Sequence, residues 1–541
     1  MNDRNVPKDG LAGFKENLRA DLLSGFLVFL IALPLCIGIS IASGFGPVGG
    51  LFTAIIGGIV VSFFSGAPIT IKGPAAGLIP IAAGCVEAFK ADPTTAAGAY
   101  QCALAVVVVA GVLQIIAGLL RGGVMSDFFP SAPVHGMLAA IGVLIISKEL
   151  HTTLGVNAAA KTAVGRIAEI PHSFMHLNPR VALIGGISLL ILVIMPRIKS
   201  NIARRIPAPL VVLAVAIPLG MYLDLGTLHT YVFGGVEHTI DPKQHLINLP
   251  ASIADAITFP DFSHILHEAS IQYIILFALI GSIESLASAK AVDTLDPYKR
   301  KSNFNKDLLA IGVGNTAAGL VGGLPMISEI VRSSANVNNG GKTRWANFWH
   351  GVFLLGVLAL VPNLLHYIPR AALGAMLVFT GFRLASPKEF AHMLHVGKEQ
   401  LFIFLVTIVV TVVEDLLWGI IAGIIAKMVI HVLNGAPVSA LFKPTVVVHP
   451  DADGPGTVRL EVQKAAIFSN YIGLKRIIQR FTDRDVVIDF STTRLVDHSV
   501  MQYMQETAAD FSRQGHTFLV TGLDRHVPLS DHPQAARKRA A

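Results

Sequence analysis

The segment GGLPMISEIVRSSANVNNGGKTR (322–344) places Glu329 and Arg332 three residues apart in a chain of which only 14% is charged. On a helix, Ser328, Glu329 and Arg332 share one face. A guanidinium in a lipid interior demands a counter-charge, because burying an unpaired ion is very costly. Three fates are open to Arg332. It neutralises Glu329, it snorkels toward the headgroups, or it receives a bound anion through charge-assisted hydrogen bonds. A second ionisable group, Glu284, interrupts the apolar run IQYIILFALIGSIESLASAKAVD (271–293), with Ser288 one turn further on. That pair suits a Na+ ligand set or a proton carrier; a hydrogen bond between helices is the plainer role.

Two stretches would have to position these groups. PITIKGPAAGLIPIAAG (68–84) and GGLPMISEIVRSSAN (322–336) each open with an apolar or Gly-rich extended piece, then a proline, then a short helical run. A helix amino end exposes unpaired N–H groups and roughly half a positive charge, so it attracts anions. Beyond Pro74 the amides of Ala75, Ala76 and Gly77 carry small side chains that admit an anion closely. Beyond Pro325 those of Ile327 and Ser328 would face it from the opposite side. Tight helix packing by small residues is the competing explanation. The two interrupted pieces stand third in each half of the apolar segments, which points to an inverted repeat with its site at mid-membrane.

Composition supplies the frame. Hydrophobic residues make up 53% of the 541, and mean hydropathy is +0.62. Apolar runs of bilayer-spanning length recur from about residue 22 to 434. They read as about fourteen membrane segments, at 22–42, 47–65, 74–85, 99–120, 131–146, 180–196, 207–223, 270–290, 306–322, 327–337, 346–361, 370–384, 399–412 and 414–433. The chain is thus a polytopic, all-α membrane protein in outline. The formal charge of +7 sits in short loops, at 196–205, 296–306 and 341–344, without the aromatic-interleaved stripe of a nucleic-acid binder. Those loops fall on the cytoplasmic side if the amino terminus does, whereas the loop 224–268 has Lys243 as its sole Lys or Arg and falls outside. Both termini are then cytoplasmic. The first twenty residues, of mixed charge, lead straight into an apolar run, unlike a cleavable leader.

Other candidates carry less. Cys36, Cys85 and Cys102 lie in or beside apolar segments without metal-ligand spacing and read as small buried hydrophobes. Glu414 and Asp415 fall at a turn between the last two segments. His229, His238, His245, His264 and His267 read as solvated loop residues, so no metal site is certain. No Walker loop, HExxH or nucleophile motif supports ATP-driven transport or an enzyme. After about residue 436 the pattern changes. LFKPTVVVHPDADGPGTVRLEVQ alternates, YIGLKRIIQRF is amphipathic, DVVIDFS (485–491) and HTFLVTGL (516–523) are strand-like, and 497–514 is helical. This alternation indicates a small α/β domain. The residues 528–541 have little to bury and are expected to be disordered.

These same residues carry a family resemblance. The stretch 21–77, DLLSGFLVFLIALPLCIGISIASGFGPVGGLFTAIIGGIVVSFFSGAPITIKGPAAG, resembles the opening of SulP anion transporters, the family that includes prestin. GGLPMISEIVRSSANVNNGG resembles that family's tenth span, and VVIDFSTTRLVDHSV (486–500) is similar to the core of a STAS domain. The resemblance implies fourteen spans in two inverted repeats of seven, arranged as core and gate domains, a homodimer, and elevator-type alternating access. It implies four parts: a segment 1–20, a transporter domain 21–435, a STAS-like cytoplasmic domain 436–527 and the tail 528–541. Arg332 matches an arginine near the central anion of many members. Glu284 and Ser288 match an Asp and a Thr of sodium-coupled bicarbonate members, but Glu284 is one methylene longer and Glu329 replaces a small residue. Nucleobase transporters of the same fold place a glutamate on both spans and use protons, so the coupling ion is H+ or Na+, with H+ favoured. Ser499 matches a phosphorylatable serine of bacterial anti-sigma antagonists, although DHS followed by Val500 departs from their pattern; helix capping by Asp497 is the plainer role.

The reading that follows is a secondary active transporter of a small inorganic oxyanion, sulfate or bicarbonate, in a bacterial inner membrane. It needs no cofactor beyond the coupling ion and no nucleic acid. Partners are the lipid bilayer, a second copy and a cytoplasmic protein at the STAS-like domain. A C4-dicarboxylate carrier, an anion channel and a STAS-linked signalling receptor are the alternatives.

Overall fold

The computed structural model describes residues 6–124, 130–198, 206–248, 253–360 and 365–540. Packing divides the chain into two units. One comprises the chain up to Gly123 with Ile141–Arg383, the other Val124–Ala140 with the chain from Leu384 onward. The second unit thus takes in the last two apolar helices as well as the residues of the expected α/β domain.

Each of the fourteen expected segments contains a helix. Among the described residues six helices are long and apolar enough to cross a membrane by length and composition: Gly10–Ala42, Ala96–Leu119, Ser131–Leu154, Pro179–Arg197, Glu268–Leu295 and Leu416–Leu433. Three more, Gly49–Phe64, Ala208–Tyr222 and Trp345–Leu360, are apolar but shorter. The first helix begins well before residue 22 because Asp9 caps it, accepting from the Gly10 amide at 2.8 Å. Among the described residues four helices were not expected: Ala163–Met175, Pro387–Val396 and the four-residue Pro242–His245 and Ile253–Ala256. The basic loop 196–205 lies mostly outside the described residues.

In the first unit, glycines set how closely helices approach. A Cβ on Gly58 of Gly49–Ile59 would sit 2.5 Å from Gly351 Cα of Trp345–Leu360. One on Gly111 of Ala99–Leu119 would sit 2.6 Å from the Thr316 amide of Phe304–Leu320. Such backbone contact suits a bilayer, where packing rather than hydrophobic burial drives association. These helices cage two four-residue strands, Ile71–Pro74 and Met326–Glu329, which pair antiparallel with Lys72 opposite Ser328 and Gly73 opposite Ile327. The loop 224–268 contains a hairpin, His229–Phe233 with Val236–Ile240. Its turn is Gly234–Gly235, both at positive φ (+60° and +82°) as a tight hairpin turn requires.

In the second unit, Thr457–Ala466 pairs parallel with Asp485–Asp489 and Thr493–Val496, and antiparallel with Thr445–Pro450. Val458, Leu460 and Val462 face one core with Val486, Ile488, Leu474, Met504 and Phe511, as strict alternation in a half-covered strand dictates. Helices Phe468–Ile478 and His498–Arg513 contribute to that core. The tail departs from expectation. Arg537–Arg539 is a strand pairing with Thr493–Val496 and with His526–Pro528, because the edge of Thr493–Val496 offers unmet hydrogen-bonding groups.

Candidate functional site

The strand pair brings the two interrupted elements together tip to tip. After Pro74, Ala75 is extended, Ala76–Leu78 forms a 3-10 turn, and Ile79–Ala91 continues as helix. Ala75, Ala76 and Gly77 therefore do open the first interrupted helix. The second differs. Ile327 and Ser328 lie in the strand, and the helix is Ile330–Asn338, capped by Glu329. The Ser328 amide is committed to Ser285 Oγ at 3.0 Å. The amides expected at this amino end are thus not its first ones; Ile330 and Val331 hold that place. The extended pairing partner, invisible without the other half of the chain, accounts for the shift.

Arg332 is buried between the two elements. Its side chain is 1% exposed and neither snorkels nor pairs with Glu329. Its Nη2 donates to the Pro74 carbonyl at 3.2 Å, so the second element's cation reaches the tip of the first. Nε and Nη1 are buried without a partner in the protein. Gly73 makes room for the guanidinium, since a Cβ there would lie 2.6 Å from Nη1. Glu329 instead serves the backbone, its Oε2 accepting from the Arg332 amide at 2.7 Å.

Glu284 comes from Glu268–Leu295 and lies against the amino end of the first interrupted helix. A Cβ on Gly77 would overlap its Oε1. Its Oε2 is buried without a partner, and Ser288 on the next turn is buried. Glu329 stands within electrostatic range of it. The structure therefore gathers Ala75, Ala76, Gly77, Glu284, Glu329 and Arg332 around one pair of tips, with a carboxylate and a guanidinium each left partly unsatisfied.

Sequence reasoning missed the residues that hold this assembly. Lys72, fully buried, is ion-paired with the fully buried Asp307 at 2.7 Å. Its Nζ also donates to Thr70 Oγ1 at 2.7 Å and Ser328 Oγ at 2.5 Å. Asp307 accepts further from Ser65 Oγ at 3.0 Å and from the amides of Gly66 and Ala67, both at 3.2 Å. Asn315 accepts from the Met326 amide at 2.6 Å and donates to Gln114 at 2.7 Å. Asn336 donates to the Ile69 carbonyl at 2.8 Å. His350 is buried near Arg332 with both ring nitrogens unpartnered. Lys72 was in plain view within ITIKGP, but its partner stands 235 positions away, and no local pattern links them.

Ser499 lies elsewhere, in the second unit. It is 1% exposed, and Lys427 Nζ donates to its Oγ at 3.0 Å. Lys427 also pairs with Asp497 at 3.1 Å, and His431 approaches the same carboxylate at 3.6 Å. Asp497 caps His498–Arg513 through the Ser499 amide. Burial would raise its carboxyl, but Lys427 and His431 outweigh that and hold it well below the usual carboxylate range. As placed, the Ser499 hydroxyl is covered and engaged, which a kinase would have to undo. Asp415 caps Leu416–Leu433, in keeping with the turn expected there. Among the described residues no three His, Cys, Asp or Glu side chains gather as a metal site.

Comparison with known proteins bears on this geometry. The model of the sulfate permease family matches residues 18–407. The bicarbonate transporter BicA of Picosynechococcus sp. is 25% identical over 402 residues, which is 74% of this chain and 68% of BicA. The sodium-independent sulfate anion transporter of Bos taurus is 23% identical over 533 residues, 95% of this chain and 84% of that one. The solved transmembrane domain of a cyanobacterial BicA superposes with a TM-score of 0.62 at 25% identity, covering 74% of this chain and 97% of that domain. The murine anion transporter Slc26a9, in an inward-facing state, gives a TM-score of 0.66 over 93% of this chain and 85% of its own, at 14% identity, a likeness of fold alone.

Proposed function

This chain belongs to the sulfate permease family, and from that premise we propose that it is a secondary active carrier of a small inorganic oxyanion, sulfate or bicarbonate. One observation carries the reading: a fully buried Arg332 whose Nε and Nη1 lack protein partners while Nη2 is anchored on the opposite tip. A buried, half-satisfied cation is costly, and an oxyanion supplies the acceptors it lacks in a planar, bidentate geometry. The amino ends at Ala75–Gly77 and at Ile330 add partial positive charge to the same place.

In this mechanism the anion binds between the tips with Arg332, and Glu284, aided by Ser288, takes up the coupling H+ or Na+. Glu284 sits where the anion's negative charge would otherwise meet the first helix end, so occupancy of the one site alters the electrostatics of the other. Glu329 keeps the second tip in register by capping it. Transport proceeds by elevator-type alternating access of fourteen spans in two inverted repeats, within a homodimer in a bacterial inner membrane, with both termini cytoplasmic. Names of relatives support both sulfate and bicarbonate as cargo.

The test is uptake into proteoliposomes under a competition panel of sulfate, bicarbonate, fumarate and chloride, with and without pH or Na+ gradients. Arg332→Ala should abolish most uptake, and Glu284→Gln should change its dependence on the gradient. Unchanged uptake in both variants removes the site.

A further inference from the structure

Away from the tips, the sheet of the second unit carries a concavity of about 370 Å3 lined by Pro437, Gln463, Lys464, Thr492, Arg494 and Arg539. Its three cations come from three neighbouring strands. The register Arg537↔Val496 and Lys538↔Leu495, continued by one residue, brings Arg539 level with Arg494. Like charges facing one another across strands repel. Lys464 adds backbone strain. It holds φ +64°, a left-handed conformation that non-glycine residues adopt at a cost, and it sits at the bulge between Lys464 and Ala465, a device that re-aims a side chain. Among the described residues no carboxylate pairs with any of the three. The nearby acid, Glu461, is engaged by Thr492 Oγ1 at 2.9 Å, Gln463 Nε2 at 3.3 Å and His449 Nε2 at 3.3 Å. On the same short strand as Arg539, the Nε of Arg537 is buried without a partner.

Three converging cations without a carboxylate partner, one of them aimed by a strained bulge, are a cost that folding alone does not require, and a bound polyanion would offset their repulsion. We propose that this concavity is a second anion site, separate from the transport path, that takes a phosphate-bearing ligand. Three cations suit the charge of a phosphoryl group better than a carboxylate, and Gln463, whose amide keeps a second N–H beside the one given to Glu461, adds a neutral donor at the rim. Pro437 follows the apolar helix Leu416–Leu433 by four residues, which sets the site where the chain leaves a bilayer. A lipid headgroup phosphate and a soluble phosphate present the same chemistry there.

The full-length protein in neutral detergent is titrated with inorganic pyrophosphate by calorimetry. In parallel, phosphatidylglycerol retained after exchange from anionic into neutral detergent is counted by phosphorus assay. Both are repeated on Lys464→Gln/Arg494→Gln/Arg539→Gln, whose three exposed side chains allow substitution without loss of core packing. A soluble ligand is indicated if pyrophosphate binding weakens at least tenfold in the triple variant while retained lipid is equal. A headgroup is indicated if retained phosphatidylglycerol falls at least twofold and pyrophosphate binds neither protein. Anion uptake in phosphatidylcholine vesicles should match the parent in either case, which keeps this site distinct from the one at Arg332. Equal pyrophosphate binding and equal lipid retention in parent and variant overturn the proposal.

Discussion

The two tips share the order of strand then helix and differ in electrostatics. Beside the first, Ala75, Ala76 and Gly77 carry no functional groups, and a carboxylate from another helix, Glu284, lies against the amino end. The second brings its own cap in Glu329 and its own cation in Arg332, and that cation crosses to the first tip's Pro74 carbonyl. The paired strands therefore set where charge meets charge, while side chains decide which half supplies it. The first half offers space and the second offers a full positive charge. The carrier proposed above would need both, because a site that is merely positive would hold its anion too well, and Glu284 would supply a counterweight.

Substitutions should break this asymmetry in graded fashion. The largest effect is expected from Lys72→Met, which leaves Asp307 as a buried, unpaired charge beneath both tips. A loss of about 3–5 kcal/mol is expected for such a break, read as thermal unfolding or failure to accumulate in the membrane. Adding Asp307→Asn should recover part of it, and no recovery would show that the pair matters for something other than its charge balance. Next comes Arg332→Ala. Proteoliposome uptake should fall by about a hundredfold, near 2.7 kcal/mol, as for loss of a charged hydrogen-bonding partner, with unfolding temperature little changed.

Gly77→Ala probes the first tip by displacing the Glu284 carboxylate. We expect roughly tenfold slower uptake, about 1.4 kcal/mol, together with an altered response to pH or Na+ gradients; a normal gradient response would separate Glu284 from coupling. Glu329→Ala removes only the cap of a nine-residue helix. Its cost should be about 1 kcal/mol in thermal unfolding, with Glu329→Asp retaining most of the stability.

The smallest effect lies outside the tips and serves as a reference. Burial lowers the affinity of His498 for a proton, and Asp497 is held below its ordinary 3.8. Both groups bind protons more readily when unfolded, so each contributes stability that is complete above its unfolded value and drains away as pH falls. The sheet domain should therefore lose stability gradually below pH 6.5 and more steeply below 3.8, followed by tryptophan-independent circular dichroism. Increasing stability on acidification would contradict this placement.

How far these features were legible depended on the range of the interaction. Short-range chemistry showed through. A proline after an extended run marked both interruptions, charges in apolar runs singled out Glu284 and Arg332, and the alternation in 441–463 covers most of the strand Thr457–Ala466. Gly234–Gly235 between HTYVF and VEHTI was an available hairpin signal that went unread. Long-range pairing did not show. Ile327 and Ser328 were misplaced onto a helix because nothing near them reveals that Gly73 and Lys72 lie opposite. Asp307 looks like an ordinary first-turn acid of Phe304–Leu320 until Lys72 is seen against it. The strand Arg537–Arg539 is likewise formed by an edge that earlier residues leave open, and a basic, Ala-rich tail gives no hint of it.

The four-residue ladder between Ile71–Pro74 and Met326–Glu329 has a kinetic corollary. Because it joins main chain to main chain across the two halves, neither broken helix can be withdrawn without breaking backbone hydrogen bonds of the other among buried residues. In the proposed transport cycle the two ends would therefore travel together as one cradle, and the barrier would belong to the surfaces over which that cradle slides.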